Sequence, residues 1–139
     1  LSKLREYTEF MEDREYRKSA AALRQLWVLG NQYLTEAAPW TAIKTDRDRA
    51  AVAVRYGLNL AALFAKVSEP FIPFACEKIS EALGEPYPAT WPSLDGEGVL
   101  SALPPGRAIR APEVLFKKIE NEQVAEWRER FGGPETVEA

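Results

Sequence analysis

The 139-residue chain contains no histidine, one cysteine and one methionine. Without histidine it cannot carry Ser-His or Cys-His catalysis or a histidine acid–base group, and nearly all zinc sites are excluded. The single Cys76 cannot form an internal disulfide, which favours a reducing, cytoplasmic location. No charged leader precedes an apolar stretch, and no run of about 18 apolar residues is evident, so neither a signal peptide nor a membrane span is expected. These absences favour a binding domain over an active site.

The remaining composition is typical of one globular domain. Apolar residues make up 46% of the chain and charged residues 28%, with a net charge of −3. Domains of about 100–150 residues are the commonest size, and this apolar content is enough for a hydrophobic core. We therefore expect a single domain over residues 1–139.

Apolar residues recur at helical spacing in most of the chain, which predicts an all-α bundle. The predicted helices run from about Arg14 to Ala37, from Asp46 or Asp48 to Val67, from Pro70 or Phe71 to Leu83, and from Glu120 or Asn121 to Phe131. Asp13 is the expected N-cap of the first, while Pro39 and Gly84 are typical helix-ending residues.

Six of the ten prolines lie between residues 85 and 113, together with three glycines. This density of proline and glycine is incompatible with regular helix and predicts an irregular wrapping segment, called the strap from here on. The predicted fold is thus an all-α helix bundle with a Pro-rich strap and a C-terminal helix.

The most informative local pattern is Trp40 directly after the helix-ending Pro39. Four basic residues follow within fifteen positions: Lys44, Arg47, Arg49 and Arg55. An exposed aromatic side chain beside positive charge is how proteins hold single-stranded bases. The alternative is that Trp40 is a buried plug between helices, since most tryptophans are largely buried.

Other candidates favour structural roles. Asp46 and Asp48 have no third acidic neighbour, so they are expected to cap a helix or lie in a solvated loop rather than bind a metal. Asn31 either reads a base edge or bonds a backbone carbonyl. The basic residues of the segment 102–118 are expected to be solvated, with a phosphate-facing ridge as the alternative: Arg107, Arg110, Lys117 and Lys118. Residues 119–139 carry two arginines against six glutamates, which suits contact with a partner domain better than with RNA.

Three phrases occur in the order found in one known family: NQYLTEAAPWTAIKTD, GLNLAALFAKVSEPFIPFACEKISEALG and VLFKKIENEQV. With them the chain resembles the C-terminal anticodon-binding domain of the methionyl-tRNA synthetases, which are class I enzymes. The resemblance implies a bundle that receives the CAU anticodon loop, with Trp40 stacking on an unstacked base. Asn31 and Pro39 match neighbours of that site. On charge grounds we expect Lys44 to contact a phosphate, and Arg47, Arg49 and Arg55 are further candidates.

The chain departs from the family pattern in one respect. An upstream helix of the family carries an Asn-x-x-x-Arg pair that bonds the anticodon bases, and no such pair occurs here. The class I ATP-site signatures are also absent. We therefore expect a part of the enzyme that lacks its first bundle helix and its catalytic domain, with no catalytic site or cofactor of its own.

The expected parent is an ATP- and Mg²⁺-dependent methionine–tRNA ligase, with a structural Zn²⁺ left open. Its expected partners are the tRNA(Met) anticodon stem-loop and its own catalytic domain, with no membrane contact and a monomeric state. The alternative is a helical protein–protein or interdomain docking module without direct RNA binding. The acidic last helix and the net charge of −3 motivate that alternative.

Overall fold

The structure, a computed structural model, describes residues 1–94, 96 and 98–133. Within these residues every regular element is a helix, which confirms the predicted all-α class. The helices are α1 (Ser2–Glu12), α2 (Tyr16–Ala37), α3 (Pro39–Ala42), α4 (Arg47–Ser68), α5 (Pro73–Leu83) and α6 (Asn121–Phe131). Residues 95, 97 and 134–139, which belong to the predicted strap and the acidic C-terminal segment, lie outside the described residues.

The start of α2 corrects one prediction. Asp13 is the C-cap of α1, its N–H donating to the Glu9 carbonyl at 2.9 Å, and not the N-cap of the next helix. Arg14 then takes a left-handed conformation (φ 61°), and the chain reverses before α2 begins at Tyr16. Asp13 cannot be the N-cap of α2 because α1 continues to Glu12 and ends at Asp13. The resulting α1–α2 hairpin packs along its length.

The boundaries of α4 and α5 mostly follow the predicted signals. Asp46 caps α4 by accepting the Arg49 N–H on Oδ1 at 2.9 Å. Gly84 ends α5 with a φ of 67°, a conformation that favours glycine. The predicted start of α5 at Pro70 or Phe71 is wrong. The Phe71 and Ile72 N–H groups still bond the Ser68 carbonyl in a turn, and Pro73 is the first residue of α5.

Helix α4 is the central element of the bundle and contacts α2, α3 and α5. Two glycines let α2 and α4 approach closely. A Cβ added to Gly30 would lie 2.7 Å from the Phe64 ring, and one added to Gly57 would lie 2.9 Å from the Leu34 side chain. Each helix thus receives a large side chain of the other at a glycine.

By length and mean hydropathy, α4 is the one helix among the described residues that meets the criterion for crossing a membrane. No membrane-spanning segment was expected from the sequence. Helix α4 nevertheless meets the criterion because small apolar residues raise its mean hydropathy. Core helices of helical bundles meet the same criterion, and α4 packs against three neighbours as such a helix does.

The core between α1, α2 and α4 is built around Tyr7, which is fully buried. Its hydroxyl donates to the Val67 carbonyl of α4 at 2.7 Å, and burial raises its pKa to about 12. The ring lies 5.6 Å, centroid to centroid, from that of Trp91 in the strap. The Trp91 Nε1–H donates to the Thr8 hydroxyl at 3.2 Å. One residue of α1 therefore links three parts of the fold.

The strap has no helix or strand among its described residues and crosses the bundle from α1 to α5. Its backbone is held at two further points. The Leu103 N–H donates to the Asn59 side chain of α4 at 2.9 Å, and the Arg110 N–H donates to the Ala82 carbonyl of α5 at 2.8 Å.

The C-terminal helix α6 begins and ends as predicted. The Glu120 N–H donates to Gln123 Oε1 at 3.3 Å at its start, and Gly132 follows its end. Val124 is its single half-buried residue; the other side chains are exposed. Helix α6 is therefore presented to solvent and adds nothing to the described core.

The first prediction concerns the buried hydroxyl of Tyr7. Tyr7→Phe removes the donor to the Val67 carbonyl and leaves that acceptor buried without its partner, which typically costs about 1–3 kcal/mol. The free energy of unfolding from urea titration should fall by that amount. Tyr16→Phe, at a side chain that is 58% exposed, is the matched control and should change it little. Equal losses in both variants would contradict the role of Tyr7.

The second prediction concerns the thiol of Cys76, which is fully buried on α5. Burial raises its pKa to about 11, with the Glu69 carboxylate a smaller cause. The reactive thiolate is therefore depleted about a hundredfold relative to a free cysteine. Alkylation at neutral pH should be slower by at least that factor in the folded chain than in denaturing urea. A similar rate in both states would show that the thiol is accessible.

Candidate nucleic-acid interface

The interface begins where α2 ends. Ala38 takes a left-handed conformation (φ 39°, ψ 59°), and its N–H donates to the Leu34 carbonyl at 3.0 Å. Pro39 cannot continue α2 because it has no N–H, yet its fixed φ suits the first position of α3. The predicted stop at Pro39 is confirmed, and the chain turns sharply at that residue.

This turn places Trp40 on the surface. The side chain lies in the first turn of α3 and is 61% exposed, so the alternative of a buried plug is wrong. Ile43, one turn later, is also exposed. The burial of a tryptophan normally stabilises a fold by several kcal/mol. An uncovered indole is therefore available for a ligand.

Trp40 stands at the edge of a groove with a volume of about 810 Å³. One side is formed by α3 and α4, and the other by strap residues 103–107 and 109. The charged residues that line it are Arg47, Arg55 and Arg107; the lining residues that the structure describes include no aspartate or glutamate. The rest of the lining is mainly apolar. In a chain with a net charge of −3, this groove is locally basic.

The structure brings four of the seven predicted site residues together. Pro39, Trp40, Arg47 and Arg55 line the groove. Lys44 and Arg49 are exposed but do not line it. Asn31 lies on α2 in a separate depression with Val28, Gln32, Thr35 and Glu36.

The side chain of Asn31 is exposed and has no hydrogen bond to any residue that the structure describes. The alternative, that the Asn31 side chain bonds a neighbouring backbone carbonyl, is therefore wrong for the described residues. Its own backbone carbonyl accepts the Thr35 hydroxyl at 2.9 Å, an ordinary helix contact.

The strap side of the groove rests on Asn59, which sequence reasoning missed. Asn59 is 1% exposed and uses both ends of its amide: Nδ2 donates to the Arg55 carbonyl at 2.9 Å, and Oδ1 accepts the Leu103 N–H at 2.9 Å. One feature of the sequence could have identified Asn59: it is an asparagine on an otherwise apolar stripe of a helix. A buried asparagine needs a polar partner.

Arg107 was expected to be solvated surface; it is exposed, but its side chain is also bonded to the fold. Its guanidinium donates to the Gly84 carbonyl at the end of α5 and pairs with Glu85 at 3.0 Å. Lys66 of α4 also reaches Glu85, at 3.4 Å. The Glu85 side chain is only 10% exposed, so these contacts hold the strap against α4 and α5 while Arg107 lines the groove.

The lining of the groove suits binding. Asp46 is used as the α4 cap, and no group of three or more cysteine, aspartate or glutamate residues lies close enough to hold a metal in the part of the chain that the structure describes. An exposed indole, an apolar floor and three guanidinium groups instead suit a ligand that is both aromatic and anionic.

Comparison with known proteins gives consistent matches. The family model described as the anticodon binding domain of methionyl tRNA ligase matches residues 1–136. The methionine–tRNA ligase of Caulobacter sp. strain K31 is 66% identical over 134 residues, which cover 96% of this chain and 24% of that protein. Those of Maricaulis maris and Paracoccus denitrificans are 55% and 51% identical, covering 88% and 95% of the chain and 22% and 23% of their own lengths. The chain thus spans about a quarter of these relatives.

The third prediction tests what holds the groove together. Asn59→Ala leaves the Leu103 N–H and the Arg55 carbonyl without their side-chain partner in a buried place, at a cost of about 1–3 kcal/mol for an unsatisfied group. Urea titration should show that loss of stability. Asn31→Ala, at an exposed position in the middle of α2, is the control and should leave stability unchanged or slightly raised. A neutral Asn59→Ala would mean that the strap is held without this amide.

Proposed function

Since the chain belongs to the family of anticodon-binding domains of methionyl-tRNA ligase, we propose that it recognises the CAU anticodon loop of tRNA(Met). Recognition of a tRNA anticodon is the role that the family carries. The finer assignment is that the groove beside Trp40 holds the loop by base stacking and phosphate contacts.

One observation carries this proposal: Trp40 is 61% exposed at the edge of a groove whose charged lining residues are all arginines. Stacking of a base on an aromatic side chain contributes about 1–3 kcal/mol, and cations attract the backbone phosphates. Bases in a single-stranded loop are accessible for such stacking, whereas those of an RNA duplex are not.

The geometry suggests a division of roles. Trp40 provides the stacking face, and Pro39 extends it with an apolar surface. Arg47 and Arg55 lie eight positions apart on α4, which is about 12 Å along a helix axis, so they can follow the RNA backbone past the stacked base. Lys44 and Arg49 are exposed near the groove as outer phosphate contacts. Asn31 lies on a separate surface of α2 and is kept as a further candidate contact.

The chain would act as part of a longer ligase. In that proposal, ATP- and Mg²⁺-dependent attachment of methionine belongs to a catalytic domain outside the present sequence, as does any structural Zn²⁺. The residues of this chain contribute by binding and orienting the tRNA. We further propose a cytoplasmic, monomeric enzyme.

A second candidate function is supported by the C-terminal region. Val114, Phe116 and Phe131 are 75%, 64% and 71% exposed, and residues 119–139 carry six glutamates against two arginines. Exposed apolar side chains of this kind suit protein–protein or interdomain docking. None of them lines the Trp40 groove, so docking and RNA binding are compatible.

The fourth prediction separates recognition from folding. In the full-length ligase, Trp40→Ala should weaken use of tRNA by about 1–3 kcal/mol in kcat/KM while leaving methionine activation unchanged, because activation needs no tRNA. Phe74→Ala removes an aromatic side chain of α5 that is 81% exposed and lies outside both the groove and the C-terminal region, and it should leave both reactions intact. Equal losses of activation and tRNA use in Trp40→Ala would assign Trp40 to folding.

Direct binding distinguishes the two candidate functions. An RNA hairpin with the CAU loop should bind more tightly than one with a scrambled loop, and its affinity should fall as salt rises, because arginines release counterions from phosphates. Identical, salt-independent binding of the two hairpins would favour the docking module.

A further inference from the structure

We propose that the strap supplies the second side of the RNA groove, with Ile109 packing on the opposite face of the base that stacks on Trp40. The inference rests on the proposed function, since it adds a specificity-determining residue to the same groove. Base-binding pockets commonly hold a base between an aromatic and an apolar side chain. Trp40 and Ile109 line the same groove from different segments, and both are exposed, at 61% and 44%.

The strap is held in a defined place around these residues. Leu103 is bonded to Asn59 of α4, Arg107 to Gly84 and Glu85, and Arg110 to Ala82 of α5. Ile109 lies between the last two of these anchors. Its position is therefore set before a ligand arrives, which lowers the entropy cost of binding.

The lining argues for an RNA base rather than an apolar protein segment. Ile109 and Pro105 provide apolar surface, but the charged groups around them are Arg47, Arg55 and Arg107. No carboxylate is present among the described lining residues to oppose a phosphate. Since Arg107 is paired with Glu85 at 3.0 Å, it serves mainly to position the strap. The groove arginines that form no ion pair with any described residue, Arg47 and Arg55, lie on α4.

Gly106 shapes the turn that carries this side of the groove. Its φ is 80°, where side-chain-bearing residues are strained, yet a Cβ added there would meet no atom within 4 Å. Gly106→Ala therefore changes the backbone preference of the turn without a clash with any neighbouring atom. This variant tests the geometry of the strap and leaves the other residues that line the groove unchanged.

The test measures binding of the CAU hairpin to the full-length ligase by fluorescence anisotropy, for Trp40→Ala, Ile109→Ala and the double variant. Ile109→Ala should weaken affinity about threefold to tenfold, the effect of losing part of an apolar contact. It should not alter the salt dependence, because no charge is lost. The double variant should lose less than the product of the two single effects, because both side chains contact one base.

Ile119→Ala is the matched control. It makes the same chemical change at a residue that is 56% exposed and outside the groove, and it should bind like the wild type. Gly106→Ala should weaken binding without affecting methionine activation. Thermal unfolding of the Trp40, Ile109 and Ile119 variants should agree closely, since the altered side chains are exposed.

The outcomes separate this inference from the proposed function. If Trp40→Ala weakens binding but Ile109→Ala does not, or if the two effects simply multiply, the strap inference is overturned and anticodon recognition stands. If neither Trp40→Ala nor Ile109→Ala weakens binding of the CAU hairpin, the proposed function itself fails.

Discussion

The groove depends on the buried amide of Asn59. A buried amide is tolerated in a helical core only when both its donor and its acceptor are used. Here Nδ2 donates to the Arg55 carbonyl of the helix, and Oδ1 accepts the Leu103 N–H of the strap. These bonds fix the position of Leu103 along α4. The Arg107–Glu85 pair is more exposed to solvent and correspondingly weaker, and it secures the next turn of the strap. Because Leu103 is held at this position, its side chain is 3% exposed and packs into the apolar core.

A second constraint explains why an indole is left in solvent. The left-handed Ala38 carries a cost of about 1–2 kcal/mol for a residue with a Cβ, and Pro39 prevents α2 from relaxing through that point. The chain therefore enters α3 in a direction that leaves Trp40 uncovered. Neither feature improves the stability of the domain by itself. Strained residues and exposed apolar side chains commonly occur at binding sites. The strained Ala38 and the exposed Trp40 are therefore explained if a ligand covers this surface.

The predictable parts were those governed by local signals. Asp46 before an apolar helix, Pro39 after one and Gly84 at an end each act within a few residues, and the structure agrees with all three. Asp13 misled because the helix before it continued for longer than a local signal can reveal. The strap side of the groove could not be predicted, because Leu103 bonds a residue 44 positions away and a proline-rich segment has no periodicity to follow. The separation of Asn31 from the groove likewise depends on how α2 is rotated against its neighbours.

The most direct test is an NMR titration of the isotopically labelled chain with the CAU hairpin, observed through its four tryptophan indoles. Trp27 and Trp91 are internal references, since their N–H groups bond Ser68 and Thr8 inside the fold, and Trp127 reports on α6. The account predicts that the Trp40 indole signal and the backbone signals of the strap between Leu103 and Arg110 shift together, while the other three indoles stay in place. A titration that moves the Trp127 signal and leaves Trp40 unchanged would contradict it.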